Sequence, residues 1–138
     1  LLKAERKIVV IDNAFINFFS TKFSRDYGRL LEKLVGLKLV KESYEDPMVE
    51  VFYWRDYSGR EVDFIVKKGV GIEKLIQVTY ASERSEVEKR EIEGLIKASR
   101  NLNCKNLVVI TWNYQGEETI ENKRVKFIPL WKWLLNPV

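Results

Sequence analysis

Residues 58–67 read Ser58-Gly59-Arg60-Glu61-Val62-Asp63-Phe64-Ile65-Val66-Lys67, and this stretch decides the fold. Strand alternation sets Glu61 and Asp63 on one face and Val62 and Phe64 on the other, so a half-polar strand is expected over 60–67. Upstream, residues 49–55 form a second strand-like run, and the intervening Asp56-Tyr57-Ser58-Gly59 supplies turn chemistry, which predicts an antiparallel hairpin. Downstream, Gly69-Val70-Gly71 turns the chain into a third strand over 74–80, where Gln77 and Thr79 fall together opposite an apolar set. The three strands make a meander.

Helical signals flank the meander. A β-branched run at 7–11 predicts a strand, and Asp12-Asn13 then caps a short helix carrying Phe15, Ile16, Phe18 and Phe19. From Ser24 a longer helix is expected, with Tyr27, Leu30, Leu31, Leu34, Val35 and Leu39 spaced mostly by three and four, up to the stop at Glu45-Asp46-Pro47. After the meander, Ser85 and Glu88 have capping-box spacing. Val87, Ile92, Leu95, Ile96, Ser99 and Leu102 mark one face of a helix ending near Asn103. Glu86/Arg90 and Glu93/Lys97 are opposite charges four apart on its solvated side. The apolar run 107–112 suits a strand covered on both faces, and its helical crossover predicts that it runs parallel to its predecessor. A polar connection over 113–122, a strand over 124–128 and a short helix opened by Pro129 complete the chain. The fold class is α/β, a mixed sheet flanked by helices.

The 138 residues suit one domain with a real core, and there is no repeat or linker. With no His and a single Cys104, the chain cannot build a Ser-His-Asp triad, a His-ligated zinc or a disulfide framework within itself. Chemistry must come from carboxylates, lysines, hydroxyls, the thiol or a borrowed ion. There is no GxGxxG and no P-loop motif among the seven glycines. No apolar run approaches a membrane span, so a soluble, cytoplasmic protein is expected. A net charge of +4 permits an anionic partner such as DNA. Both ends look cut, as in a fragment of a longer protein.

Glu32 on a helix, the Gly59-Arg60-Glu61-Val62-Asp63-Phe64 turn and strand, and a following strand ending in Gln77-Val78-Thr79 resemble the PD-(D/E)XK nuclease-like superfamily, with its restriction-endonuclease-like fold. More narrowly, Val10-Ile11-Asp12-Asn13, Gly28-Arg29-Leu30-Leu31-Glu32, Val108-Val109-Ile110-Thr111-Trp112 and residues 127–135 are similar to the C-terminal domain that follows the ATPase module of many prokaryotic, especially archaeal, AAA-type ATPases. The resemblance spans nearly the whole chain and rests on the order of the motifs together.

In active members of that superfamily a helical Glu, a second-strand Asp and a third-strand acid bind Mg²⁺, and a Lys two residues later polarises the attacking water. The resemblance carries these onto Glu32, Asp63, Gln77 and Thr79, with Glu32 and Asp63 as metal ligands. A neutral amide and a hydroxyl stand where an acid and a lysine are expected, which implies weak metal binding and slow or absent cleavage. Lys67, Lys89 and Lys97 are candidates for a displaced lysine. Arg55, Arg60 and Lys67, interleaved with Tyr53, Trp54, Tyr57 and Tyr80, could meet phosphate and bases, although core packing is the simpler reading of such aromatics. Three functions stay open: a degenerate nuclease-like domain that binds DNA or docks on its own ATPase module or neighbouring subunits, a working Mg²⁺-dependent endonuclease, and a protein-interaction module.

Overall fold

A computed structural model describes residues 4–6 and 27–135. The strand expected at 7–11, the helix carrying Phe15 to Phe19 and the Ser24 helix start lie outside the described residues. The elements are β1 (Ala4–Arg6), α1 (Tyr27–Glu45), β2 (Val49–Arg55), β3 (Glu61–Lys68), β4 (Gly71–Val78), α2 (Lys89–Leu102), β5 (Leu107–Thr111), β6 (Gly116–Ile120), β7 (Lys123–Pro129) and α3 (Leu130–Leu135). They form one mixed sheet in the order β1-β2-β3-β4-β5-β7-β6. The β1 to β4 pairings are antiparallel, β5 lies parallel to both β4 and β7, and β6 closes the edge antiparallel to β7. This is the expected mixed sheet flanked by helices.

α1 buries Leu31, Val35 and Leu39, four apart, against Phe64, Val66, Ile76 and Val78, and Trp133 of α3 joins the same apolar layer. It stops where Asp46 Oδ1 accepts the Met48 N–H at 3.0 Å and Pro47 disfavours helical geometry in the residue before it. α2 covers the other face with Ile92, Leu95 and Ile96 on Trp54, Val62, Ile65 and Leu75. All five residues of β5 are buried, as its apolar sequence requires of a strand covered on both faces.

Four expectations need correction. β6 lies within the stretch read as a polar connection. Its Glu117, Glu118 and Thr119 carry no apolar alternation, and pairing with β7 makes the strand, with Glu118 held by Arg84. The two-residue hairpin turn between them puts Glu121 at φ 50 and Asn122 at φ 66, the left-handed conformation such turns need. The Ser85/Glu88 capping box does not form. Arg84–Glu86 is a single 3-10 turn, Val87 is buried, and α2 starts after an extended Glu88 that makes no side-chain cap. Val87 and Glu88 are both extended, which breaks the helical path that the spacing suggested. Pro129 ends β7 opposite Thr111 instead of opening the helix.

The fourth correction concerns β3 itself. Phe52 faces Ile65 and Trp54 faces Val62, so two steps of β2 oppose three of β3. The extra residue is a β-bulge at Asp63–Phe64 that breaks strict alternation. Val62 therefore packs under α2 while Phe64 packs under α1, on opposite faces of the sheet.

Candidate functional site

The bulge matters because β3 and β4 part company beside it. Their ladder ends at Phe64 opposite Ile76. β4 continues with β5 through Gln77 opposite Val109 and Val78 opposite Ile110, and the Thr79 N–H still reaches Ile110 O at 2.9 Å. Across the opening, side chains replace the lost ladder: the Asp63 N–H donates to Gln77 Oε1 at 3.1 Å, and the Val78 N–H donates to Asp63 Oδ2 at 2.9 Å. Buried backbone donors must find acceptors, and here two candidate site residues provide them.

A pocket of about 300 Å³ opens at this fork, lined by Gly28, Glu32, Glu61, Asp63, Gln77, Val78, Glu88, Arg90 and Glu91. Glu32 arrives from the first turns of α1, Asp63 from the bulge, and Gln77 from β4 on the face covered by α2. Three of the four residues proposed from sequence thus share one pocket. Thr79 is buried and hydrogen-bonds to Glu91.

Glu91 is the residue that sequence reasoning missed. Burial pushes its carboxyl above the ordinary range, the neighbouring Glu88 charge adds to that, and hydrogen bonding from Thr79, the Glu88 backbone and Gln77 opposes it. Its Oε2 is buried without a hydrogen-bond partner. α2 can come this close because residue 94 is glycine: a Cβ there would sit 2.8 Å from Glu61 O. The signal was present in the sequence. Glu91 precedes Gly94, Leu95 and Ala98 on the buried stripe of α2, an acid where an apolar residue belongs.

None of the three lysines named from sequence lines the pocket. Lys97 Nζ reaches Asp56 Oδ2 at 2.5 Å, Lys89 is exposed and 3.9 Å from Glu93, and Lys67 sits toward the far end of β3 opposite Glu50. The expected Glu93/Lys97 pair is replaced, since Glu93 takes Arg60 and Lys89. Glu86 lies outside α2 and accepts the Ser82 N–H, and Arg90 donates to Gly59 O at 3.3 Å. Arg90 is the one cation lining the pocket among the described residues.

Two of the three nucleic-acid candidates, Arg55 and Arg60, are tied to acids. Arg55 pairs with Glu61 at 2.6 Å, and Arg60 donates to Ser58 Oγ and Glu93. Trp54 belongs to the core, whereas Tyr57 is fully exposed on the β2–β3 turn. A second cavity, about 360 Å³, lies between that turn and α2, with Asp56 and Lys97 in its wall. Lys97, Ser58 and the Arg60 N–H hold the Asp56 carboxyl well below the usual range, against the opposing effect of burial.

Fold and site define a mixed α/β domain with an acidic pocket at a strand fork. The chain belongs to the family described as "Domain of unknown function (DUF4143)", whose model matches residues 27–133. It is 36% identical over 136 residues to the uncharacterized protein MJ1544 of Methanocaldococcus jannaschii, covering 94% of this chain and 29% of that protein. The chain therefore spans less than a third of that relative's length. Among solved structures, a chain in the assembly of Thermococcus gammatolerans McrB AAA+ hexamers with bound McrC matches 74% of this chain and 27% of its own, at 16% identity and a TM-score of 0.47. Among the described residues no helix is long and apolar enough to cross a membrane.

Proposed function

We propose that this chain is a single nuclease-like domain of the PD-(D/E)XK type, carried at the C-terminal end of an AAA-type ATPase, in which cleavage has given way to docking on the ATPase module or on neighbouring copies. The observation that carries this reading is the commitment of Gln77 and Asp63 to backbone donors across the strand fork. Gln77 has become a bridge, Thr79 is buried beside Glu91, and among the described residues no lysine lines the pocket. Mg²⁺ fits this donor set poorly, because it wants an octahedron of charged oxygens and waters. Among the described residues no group of three or more acids, histidines or cysteines is arranged to hold a metal ion. Catalysis through Glu32, Asp63, Gln77 and Thr79 would also lack the lysine that the superfamily places where Thr79 stands.

The test is supercoiled-plasmid nicking with Mg²⁺ or Mn²⁺. No nicking at high protein concentration is expected. Nicking that disappears in Asp63→Ala would overturn the docking role and install the endonuclease in its place.

A further inference from the structure

We infer that the exposed aromatic row just past the C-terminal ends of β4 and β5 is the seat of the chain's own residues 15–23, which pack on Tyr27, Tyr80 and Trp112. The inference does not depend on the chemistry of the acidic pocket. Tyr27 and Tyr80 stack with ring centroids 4.9 Å apart at 24°, and Trp112 lies 6.0 Å from Tyr80 at 42°. Trp131 of α3 extends the patch, its Nε1 donating to Asn113 Oδ1 at 3.4 Å. In chain order these four rings are 37%, 44%, 48% and 55% exposed. Adjoining aromatic rings open to water form the kind of surface that another segment covers.

Chain continuity selects the occupant. Residues 15–23 read Phe15-Ile16-Asn17-Phe18-Phe19-Ser20-Thr21-Lys22-Phe23 and hold four of the chain's seven phenylalanines. The other three, Phe52, Phe64 and Phe127, all lie in or against the core, as burial of so apolar a ring favours. Phe23 is four residues from Tyr27, a reach of at most about 14 Å, so the segment arrives at the row itself. The length of the connection agrees. β1 lies three places from β4 in the sheet and antiparallel to it, so the chain leaves Arg6 heading away from Tyr80 and must return along the sheet. Arg6 is level with Phe52, Ile65 and Leu75. From there to Tyr27 is roughly 20–25 Å, about 14 Å across the strands and about 17 Å along them. The 21 residue steps available reach up to about 70 Å, so most of the segment is surplus to the crossing and free to lie on the rings. Seating it also steadies the start of α1, whose Gly28 and Glu32 line the acidic pocket.

The test uses the whole chain carrying Trp131→Phe, which leaves Trp112 as the exposed tryptophan, since Trp54 and Trp133 are buried. Acrylamide quenching of its emission is compared with that of Phe15→Ala/Phe19→Ala and of the milder Phe23→Ala, with circular dichroism confirming that each protein is folded. Quenching should rise in both variants, because Trp112 loses its cover. Urea unfolding then measures Phe23→Ala, Trp112→Ala and the two together. Residues in contact should show a coupling of at least about twofold in the unfolding constant, the combined loss falling short of the two separate losses. Quenching unchanged in both phenylalanine variants, or additive losses in the cycle, would overturn the proposal. So would protection of Trp112 that disappears on dilution and ignores the phenylalanine changes, the result that a second copy seated on the row would give. Plasmid nicking is a separate readout, so failure here leaves the docking role of the domain standing.

Discussion

Replacing Gln77 by glutamate restores the acid that an active PD-(D/E)XK site would carry, and the strand fork sets its cost. The new carboxylate can still accept the Asp63 N–H, but it loses the amide donor that faces Glu91. Two carboxylates within hydrogen-bond reach, about 4 Å apart at an effective dielectric near 20, repel by about 4 kcal/mol. Taking up a proton is the way out. For a carboxyl of ordinary pKa near 4.3 that costs about 3.7 kcal/mol at pH 7 and about 1 kcal/mol at pH 5. The variant should therefore lose about 3–4 kcal/mol against wild type at pH 7 and about 1 kcal/mol at pH 5. The sign follows from linkage: the folded state holds a proton that the unfolded chain has released, so stability falls as pH rises between those values. Urea unfolding followed by circular dichroism at pH 5, 6 and 7, with wild type in parallel, measures the difference. Adding 10 mM Mg²⁺ at pH 7 should recover part of the loss, because a cation that binds only the folded acids stabilises them. A Gln77→Glu variant as stable as wild type at pH 7, with no added pH dependence, would refute the placement of the Gln77 amide against Glu91.

Gly94→Ala should push α2 away from β3, since its Cβ would meet Glu61 O at 2.8 Å, a backbone atom that cannot swing aside. The overpacking cost of about 1–3 kcal/mol outweighs a helix-propensity gain of about 1 kcal/mol, so a net loss of about 1 kcal/mol and a Tm lowered by a few degrees are expected; a higher Tm would show that α2 is not pinned there. Asp56→Asn removes the charge that pairs with Lys97 and leaves a neutral oxygen to accept the Ser58 and Arg60 N–H groups. Because the folded Asp56 pKa is depressed, its contribution is present at neutral pH and fades as pH falls below about 4. Thermal melts should show the variant below wild type at pH 7 and converging with it in acid; a constant gap would contradict the cause assigned to the shift.

The meander, the α2–β5 crossover and the doubly covered β5 were legible because each rests on local periodicity. β6 was not, because its Glu-Glu-Thr run becomes a strand only through β7 and the Arg84 pairing. The bulge at Asp63–Phe64 was equally hidden: it arises from register between β2 and β3, and alternation assumed without it put Val62 and Phe64 on the same face. For the site, Glu32, Asp63 and Gln77 were placed by the order of motifs, and they do line one pocket. Glu91 escaped because the capping-box spacing moved the start of α2 upstream and its buried stripe was read through apolar residues alone. Ion pairs fared worst, since Lys97 and Glu93 both chose partners on the β2–β3 turn over each other.

Calorimetric titration of Mn²⁺ into the wild-type chain and into Asp63→Ala bears most directly on whether the pocket is a docking site or a working metal centre. Weak, non-saturating heats, the same in both proteins up to millimolar Mn²⁺, are the expected result. A saturable site that vanishes in Asp63→Ala would mean that the pocket holds a catalytic ion after all.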